Sequence, residues 1–379
     1  MAKPKKQQLR AEFRKNRTAR ARRSDWTRNF QTASGDQEDA AQAERISGKG
    51  ELTRKRTVRG VQTADDREDG FGVRLDVDEA ACLKGRVLAV HGLTSDVEAE
   101  DGATYRCAVR RLLKTLITDQ RHVVAAGDRV LFRPAENREG IIERIEPRHG
   151  ILSRGTRGRQ HVLVANVDQL VIVGSAAEPY LKPNLIDRFL VSAEQGHLRP
   201  VICINKIDLV DPASLEPLVG VYGQMGYRVL LVSAQTGFGI DRLRRTLAGR
   251  QSVVSGQSGV GKSSLLNAIQ PGLGLAVAEV SAESQKGRHT TTTARLLPLE
   301  GGGYVVDTPG IRQFQLWDIA PEEVAGLYRD LRPFVSRCDF PDCTHTHEAG
   351  CAVKNAVADG WLDARRYESY CQLFAGDLN

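Results

Sequence analysis

Nowhere does the sequence hold the roughly 18 uninterrupted apolar residues of a membrane-crossing helix, although apolar residues fill 41% of its 379 positions. The basic N-terminus has no apolar core behind it, so no secretory signal and no membrane partner are expected. Internal repeats are absent. The seven cysteines are an odd number, and three of them crowd between Cys338 and Cys351. In the reducing cytoplasm expected for this chain, that clustering suggests metal ligation and argues against a disulfide framework. The body also lacks the positive charge that the formal total of +7 suggests. Residues 1–30 carry eleven Lys or Arg against Glu12 and Asp25, a local +9 that leaves the other residues at −2.

Composition divides the chain. Residues 1–70 are polar, with no sustained apolar period, and cannot bury enough surface to offset chain entropy; a disordered basic tail, able to neutralise nucleic-acid phosphates, is expected. Within 71–150 lie short β-type runs at 85–91 (GRVLAVH), 104–110 (TYRCAVR), 128–132 (DRVLF) and 140–145 (GIIERI). Their spacing suggests a small barrel, five-stranded and OB-type or SH3-like, of a kind that binds RNA. From 151 to 318 strands and helices alternate, which predicts a mostly parallel sheet covered by helices. Residues 319–379 read as helical around a Cys/His-rich knot.

The most informative local pattern is Gly256-Gln257-Ser258-Gly259-Val260-Gly261-Lys262-Ser263, with Ser264 following, after a short apolar strand and before the helical face of Leu265, Leu266 and Ile269. Glycines let backbone N–H groups curl around phosphate oxygens, and the helix N-terminus adds positive potential. Lys262 can reach the β- and γ-phosphates and the Ser263 hydroxyl can hold Mg²⁺. Asn205-Lys206-Ile207-Asp208 follows another apolar strand. A carboxylate at Asp208 can accept from the N1–H and the exocyclic amine of guanine. Adenine offers neither donor there and would leave it unpaired. Ser233 and Ala234 open a further turn (SAQTG) suited to the guanine carbonyl, and Asp307-Thr-Pro-Gly310 fits a Mg²⁺-side carboxylate followed by a γ-phosphate-sensing glycine. The four motifs together imply a GTP/GDP site.

Their order is rotated. In ordinary small GTPases the phosphate loop comes first and the base-reading motif last; here Asn205 and Ser233 precede Gly256, which precedes Asp307. The pattern is that of a circularly permuted P-loop GTPase. Between the phosphate loop and Asp307 lies Lys286-Gly-Arg-His-Thr-Thr-Thr-Thr293, where Thr291, or Thr290 next to it, is expected to complete the Mg²⁺ shell. Ile311 stands where many small GTPases place a water-orienting Gln. Slow intrinsic hydrolysis is therefore expected, with His289 a candidate for orienting water.

Cys338, Cys343, His345 and Cys351 supply three thiolates and an imidazole, the ligand set of one closed structural Zn²⁺ site with no position left for water. Cys82, Cys107, Cys203 and Cys371 are scattered and read as ordinary thiols.

Taken together, barrel, NKID, SAQTG, GQSGVGKSS, GRHTTT, DTPG and C-x4-C-x-H-x5-C resemble the RsgA/YjeQ family of ribosome small-subunit-dependent GTPases, over about residues 71–375. Gly259 stands where some members have Ser. The resemblance implies a multidomain α/β protein with an N-terminal OB-type barrel, a permuted GTPase domain and a C-terminal helical zinc-binding domain. It implies late maturation of the small ribosomal subunit, contact with its rRNA through the barrel and zinc domains, and hydrolysis stimulated by the ribosome. Nucleotide contacts carry over to residues 205–208 and 256–264, and zinc ligands to the three cysteines and His345. A cytoplasmic monomer, meeting other assembly factors on the subunit, is expected.

Overall fold

The computed structural model describes residues 7–13, 54–62, 73–75, 77–110, 113, 123–156, 159–275, 294–307 and 319–376. They fall into two units, one of residues 1–149 with 157–166, the other of residues 150–156 with 167–379. No helix among the described residues is long and apolar enough to cross a membrane.

In the first unit, β1 (Gln7–Phe13), β2 (Arg54–Gln62) and β3 (Val73–Leu75) form an antiparallel sheet. Two of these strands lie inside the tail expected to be disordered. The β1–β2 register sets Leu9 opposite Val58 and Glu12 opposite Lys55. Composition tests whether a segment can bury a core, whereas strand pairing satisfies backbone groups without one.

The barrel follows: β4 (Leu83–His91), β5 (Thr94–Ala99), β6 (Thr104–Val109), β7 (Arg129–Ala135) and β8 (Glu139–Ile145). Its order is β4-β5-β6-β8-β7, closed by pairing of β7 back onto β4. The β6–β8 pair is parallel and the rest antiparallel. That topology is an OB-type barrel and settles the choice left open by strand spacing. β5 (TSDVEA) escaped the sequence reading because it offers one branched apolar residue, Val97. Yet Thr94 and Ser95 are buried beside it. Val87, Val97, Cys107, Phe132 and Ile142 fill the interior. The Asp128 carboxylate accepts two hydrogen bonds from Arg148, both at 2.7 Å and both fully buried, and a third from the Ala125 N–H. A further strand, β10 (Arg159–Val164), belongs to this unit.

The second unit opens with β9 (Leu152–Thr156) and is built on β11 (Gln169–Ser175), β12 (Arg199–Asn205), β13 (Arg228–Leu231), β14 (Arg250–Ser255), β15 (Arg295–Pro298) and β16 (Gly303–Asp307). The order β13-β12-β11-β14-β16-β15 is parallel throughout except for β15. Helices α1 (Pro183–Gln195), α2 (Glu216–Gln224), α3 (Ile240–Leu247) and α4 (Lys262–Ile269) connect the strands. Near-continuous apolar runs such as Val201–Ile204 follow from burial on both faces. α3 and α4 cover one face through Leu243, Leu247, Leu265 and Ile269.

After Ile319 come α5 (Pro321–Leu327), α6 (Arg332–Val335), α7 (Ala352–Ala358) and α8 (Ala364–Phe374). They share a core with α1 through Val191, Tyr328, Leu331 and Tyr370. A buried charge cluster ties them to the sheet helices. Arg366 of α8 donates to both carboxylate oxygens of Asp330 at 2.9 Å and lies 2.5 Å from Asp187 of α1. Tyr222 of α2 donates to Asp187 at 2.7 Å, and the Arg366 guanidinium sits 4.4 Å over the Tyr328 ring.

Candidate nucleotide site and metal cluster

A parallel sheet delivers the C-terminal ends of its strands to one edge. The register aligns Ser175 with Asn205, Ile172 with Ser255 and Val253 with Val306. The loops after β12, β13, β14 and β16 therefore open together, and these are the loops that carry NKID, SAQTG, GQSGVGKSS and DTPG.

Asn205 joins three of them. Its side chain is buried, with 1% of the residue exposed; its amide donates to the Val260 carbonyl at 2.9 Å and its oxygen accepts the Ala234 N–H at 3.1 Å. Only an amide offers a donor and an acceptor at this reach. Lys206 follows in the left-handed region at φ +62° and donates to the Glu178 carbonyl at 2.5 Å. Ile207 is buried beneath, and Asp208 stands exposed at the mouth of the site. Ser233 is fully buried, its hydroxyl accepting from the Thr236 N–H at 3.1 Å, which closes the SAQTG turn. Within that turn the Ala234 N–H is directed to Asn205.

The phosphate loop needs its glycines. Gly256 (φ +152°) passes so close to β11 that a Cβ would lie 2.1 Å from the Val173 carbonyl oxygen. Gly261 (φ +88°) would place one 2.5 Å from the Asn205 amide nitrogen. The Lys262 ammonium donates to the carbonyls of Gly256 and Gln257 at 2.8 and 2.7 Å, at the lip of the loop. The first bond of α4 runs from the Leu265 N–H to the Gly261 carbonyl. The start of α4 thus faces the loop, the arrangement by which a helix N-terminus receives an anion. Gln257, Ser258 and Gly259 complete the turn, with Val260 anchoring it in the core. Asp307 ends β16 on the same edge, although its side chain is outside the described residues. His289, Thr290, Thr291, Gly310 and Ile311 also lie outside them.

In the C-terminal region Cys338, Cys343, His345 and Cys351 present ligand atoms that all lie within 4.8 Å of one another. The Cys338 sulfur is 3.3 Å from His345 Nδ1 and 3.9 Å from the Cys351 sulfur, and Cys351 is 3.5 Å from Nδ1. Zinc bonds of about 2.3 Å to sulfur and about 2.0 Å to nitrogen, set tetrahedrally, require edges of about 3.8 and 3.5 Å. The cluster fits a zinc ion. Burial holds the His345 pKa below its ordinary value, favouring the neutral imidazole that ligates metals. Three supports went unseen in the sequence. Glu348 accepts the N–H groups of Thr344, Thr346 and His347 at 2.7, 3.1 and 3.2 Å, and the hydroxyls of Tyr367 and Tyr370 donate to the His345 and Thr344 carbonyls at 2.9 and 2.7 Å. Only the i, i+3 spacing of the two tyrosines hinted at them.

A family model described as RsgA GTPase matches residues 145–317. The chain is 42% identical over 318 residues to the "Small ribosomal subunit biogenesis GTPase RsgA" of Sodalis glossinidius (strain morsitans), covering 81% of this chain and 90% of that protein. It is likewise 42% identical over 304 residues to the protein of that name from Chlorobaculum parvum (strain DSM 263 / NCIMB 8327), covering 77% and 97%. Among solved structures, YjeQ from Thermotoga maritima superposes with a TM-score of 0.65 at 37% identity, covering 78% of this chain and 98% of that one. YloQ, described as a circularly permuted GTPase, superposes with a TM-score of 0.63 at 30% identity, covering 79% and 96%.

Proposed function

Since the chain belongs to the RsgA family of circularly permuted GTPases, we propose that it hydrolyses GTP to GDP and phosphate on the small ribosomal subunit, in support of that subunit's late maturation. The observation that carries this reading is Asn205, whose one amide holds the phosphate loop and the SAQTG turn against the base-reading motif. Segments more than fifty residues apart thereby frame one ligand.

The residues take their roles from chemistry. Asp208 accepts from the guanine N1–H and amine, and the Lys206 stem flanks the base. The backbone N–H groups at the start of α4 and the Lys262 ammonium meet the phosphates as charge shifts toward the leaving group. Ser263, Asp307 and Thr291, or Thr290, would hold Mg²⁺, which would neutralise charge on the phosphate oxygens. Gly310 would sense the γ-phosphate. With Ile311 in place of a glutamine, the bound subunit is expected to complete the arrangement that orients water, His289 being the candidate from this chain. Cys338, Cys343, His345 and Cys351 would hold one zinc ion, closed to water and serving the fold.

We assign the basic tail (1–70), the barrel (71–150) and the zinc region (319–379) to rRNA, and 151–318 to the nucleotide. The test is GTP turnover by the purified full chain, alone and with purified small or large subunits. Slow turnover alone, a large rise with small subunits only, and none with ATP are expected. Equal stimulation by large subunits overturns the assignment. So does a Lys262→Ala variant that binds GDP poorly yet still supports subunit maturation in cells.

A further inference from the structure

The edge of the sheet opposite the nucleotide carries an unneutralised arginine cluster. Arg199 begins β12, Arg228 begins β13 and Arg250 begins β14. Their shared face follows from register. Arg228 aligns with Val201, two residues beyond Arg199, so the two project on one side of the sheet. Gln169 aligns with both Arg199 and Ser252, and Arg250 stands two residues before Ser252, again on that side. Arg199 and Arg228 are exposed and Arg250 is half-buried.

None of the three guanidinium groups has a hydrogen bond or ion pair among the described residues. Their neighbour Arg329 shows the usual alternative: it donates to Glu194 at 2.6 Å and stacks on Tyr227. Around Arg199 the field runs the other way. After desolvation, the charges that hold its pKa down are those of Arg250 and Arg228. Like charges on the neighbouring strands β13 and β12, with a third across β11 on β14, raise the energy of the fold, and an external polyanion would relieve them.

We propose that Arg199, Arg228 and Arg250 form a surface that binds an RNA phosphodiester backbone. Guanidinium forks match phosphate oxygens two at a time, and three in a row suit the regular spacing of a helix backbone better than a compact acidic side chain. The six residues of β14 separate this surface from the phosphate loop by roughly 20 Å. RNA can therefore sit here while the nucleotide site stays open. The inference rests on the small-subunit reading above and adds to it a contact made by the nucleotide domain itself.

The experiment measures binding of the full chain and of the triple variant Arg199→Gln/Arg228→Gln/Arg250→Gln to purified small subunits and to a 20-base-pair RNA duplex, as a function of salt. Wild-type binding to subunits tests the functional reading separately. Given that binding, the variant is expected to bind both probes at least about tenfold more weakly at 0.1 M salt, with the log–log salt slope reduced by about 3. GDP affinity is expected unchanged, and Tm unchanged or raised because the repulsion is gone. Unchanged subunit binding and slope overturn the proposal while leaving the functional reading intact. Loss of subunit binding with duplex binding unchanged also overturns it, since the edge would then meet an acidic protein. Should the triple variant misfold by GDP affinity, the single Arg228→Gln, on the edge strand, is expected to lower the slope by about 1; no change in slope overturns the proposal.

Discussion

Replacing Asn205 by alanine removes a side chain that joins three loops, and its cost can be worked from the structure. Two hydrogen bonds disappear, at 2.9 Å to the Val260 carbonyl and 3.1 Å from the Ala234 N–H, in a position where 1% of the residue is exposed. Water cannot readily replace them, so each partner is left unpaired at about 1–3 kcal/mol. A total of about 2–6 kcal/mol follows. Part is lost from the fold, and the rest from GDP affinity, because the loops must be re-ordered when the nucleotide binds. If half falls on binding, the affinity drops by about 5- to 140-fold, at 1.4 kcal/mol per decade. Asn205→Asp keeps the acceptor for Ala234 but sets a carboxylate against the Val260 carbonyl, and is expected to be no better than alanine. The assay is calorimetric GDP titration paired with thermal unfolding, with and without GDP. An alanine variant with wild-type Tm and GDP affinity within twofold of wild type would refute the claim that this amide organises the site.

Further outcomes are expected elsewhere. Asp208→Asn should shift preference from GTP toward xanthosine triphosphate, measured as a ratio of kcat/KM, because the accepting carboxylate is lost. Cys351→Ser or a strong chelator should release one zinc per chain and lower Tm, read by metal analysis and calorimetry. Arg366→Met should cost about 3–5 kcal/mol of unfolding free energy by leaving the buried Asp187 carboxylate and the half-buried Asp330 without their partner. Asp363 caps α8 by accepting the Arg365 N–H at 2.9 Å, and the Arg365 guanidinium beside it holds its carboxyl below the usual range. A depressed native pKa contributes stability above the unfolded value near 3.9 and loses it as pH falls through the native one. Asp363→Asn keeps the cap but should flatten that acid limb of the Tm profile.

Much of the site was legible because its chemistry leaves dense local signals. The phosphate loop demands glycines where backbone approaches backbone, as Gly256 approaches Val173. A metal demands sulfur and imidazole within a short loop, and four such residues meet within 4.8 Å. Strands buried on both faces betray themselves as apolar runs, as β11, β12 and β14 do. The strands missed were those without such a run. β5 buries Thr94 and Ser95, and β15 is four residues paired antiparallel to β16. β1 and β2 are held by backbone pairing in a segment whose composition shows no core.

What the amino-acid order carried alone was therefore chemistry at fixed spacing: which loops have the pattern of a phosphate site, which residues could ligate a metal, and that the motifs run in a rotated succession. Tertiary structure decided everything that depends on distant segments meeting. It chose an OB-type closure by pairing β7 onto β4. It gave Asn205 both of its partners, 29 and 55 residues away. And it set three arginines from separate strands on one face. Spacing along a chain fixes only what neighbours can do, whereas register across a sheet, set by burial of whole faces, brings remote side chains within reach of one ligand.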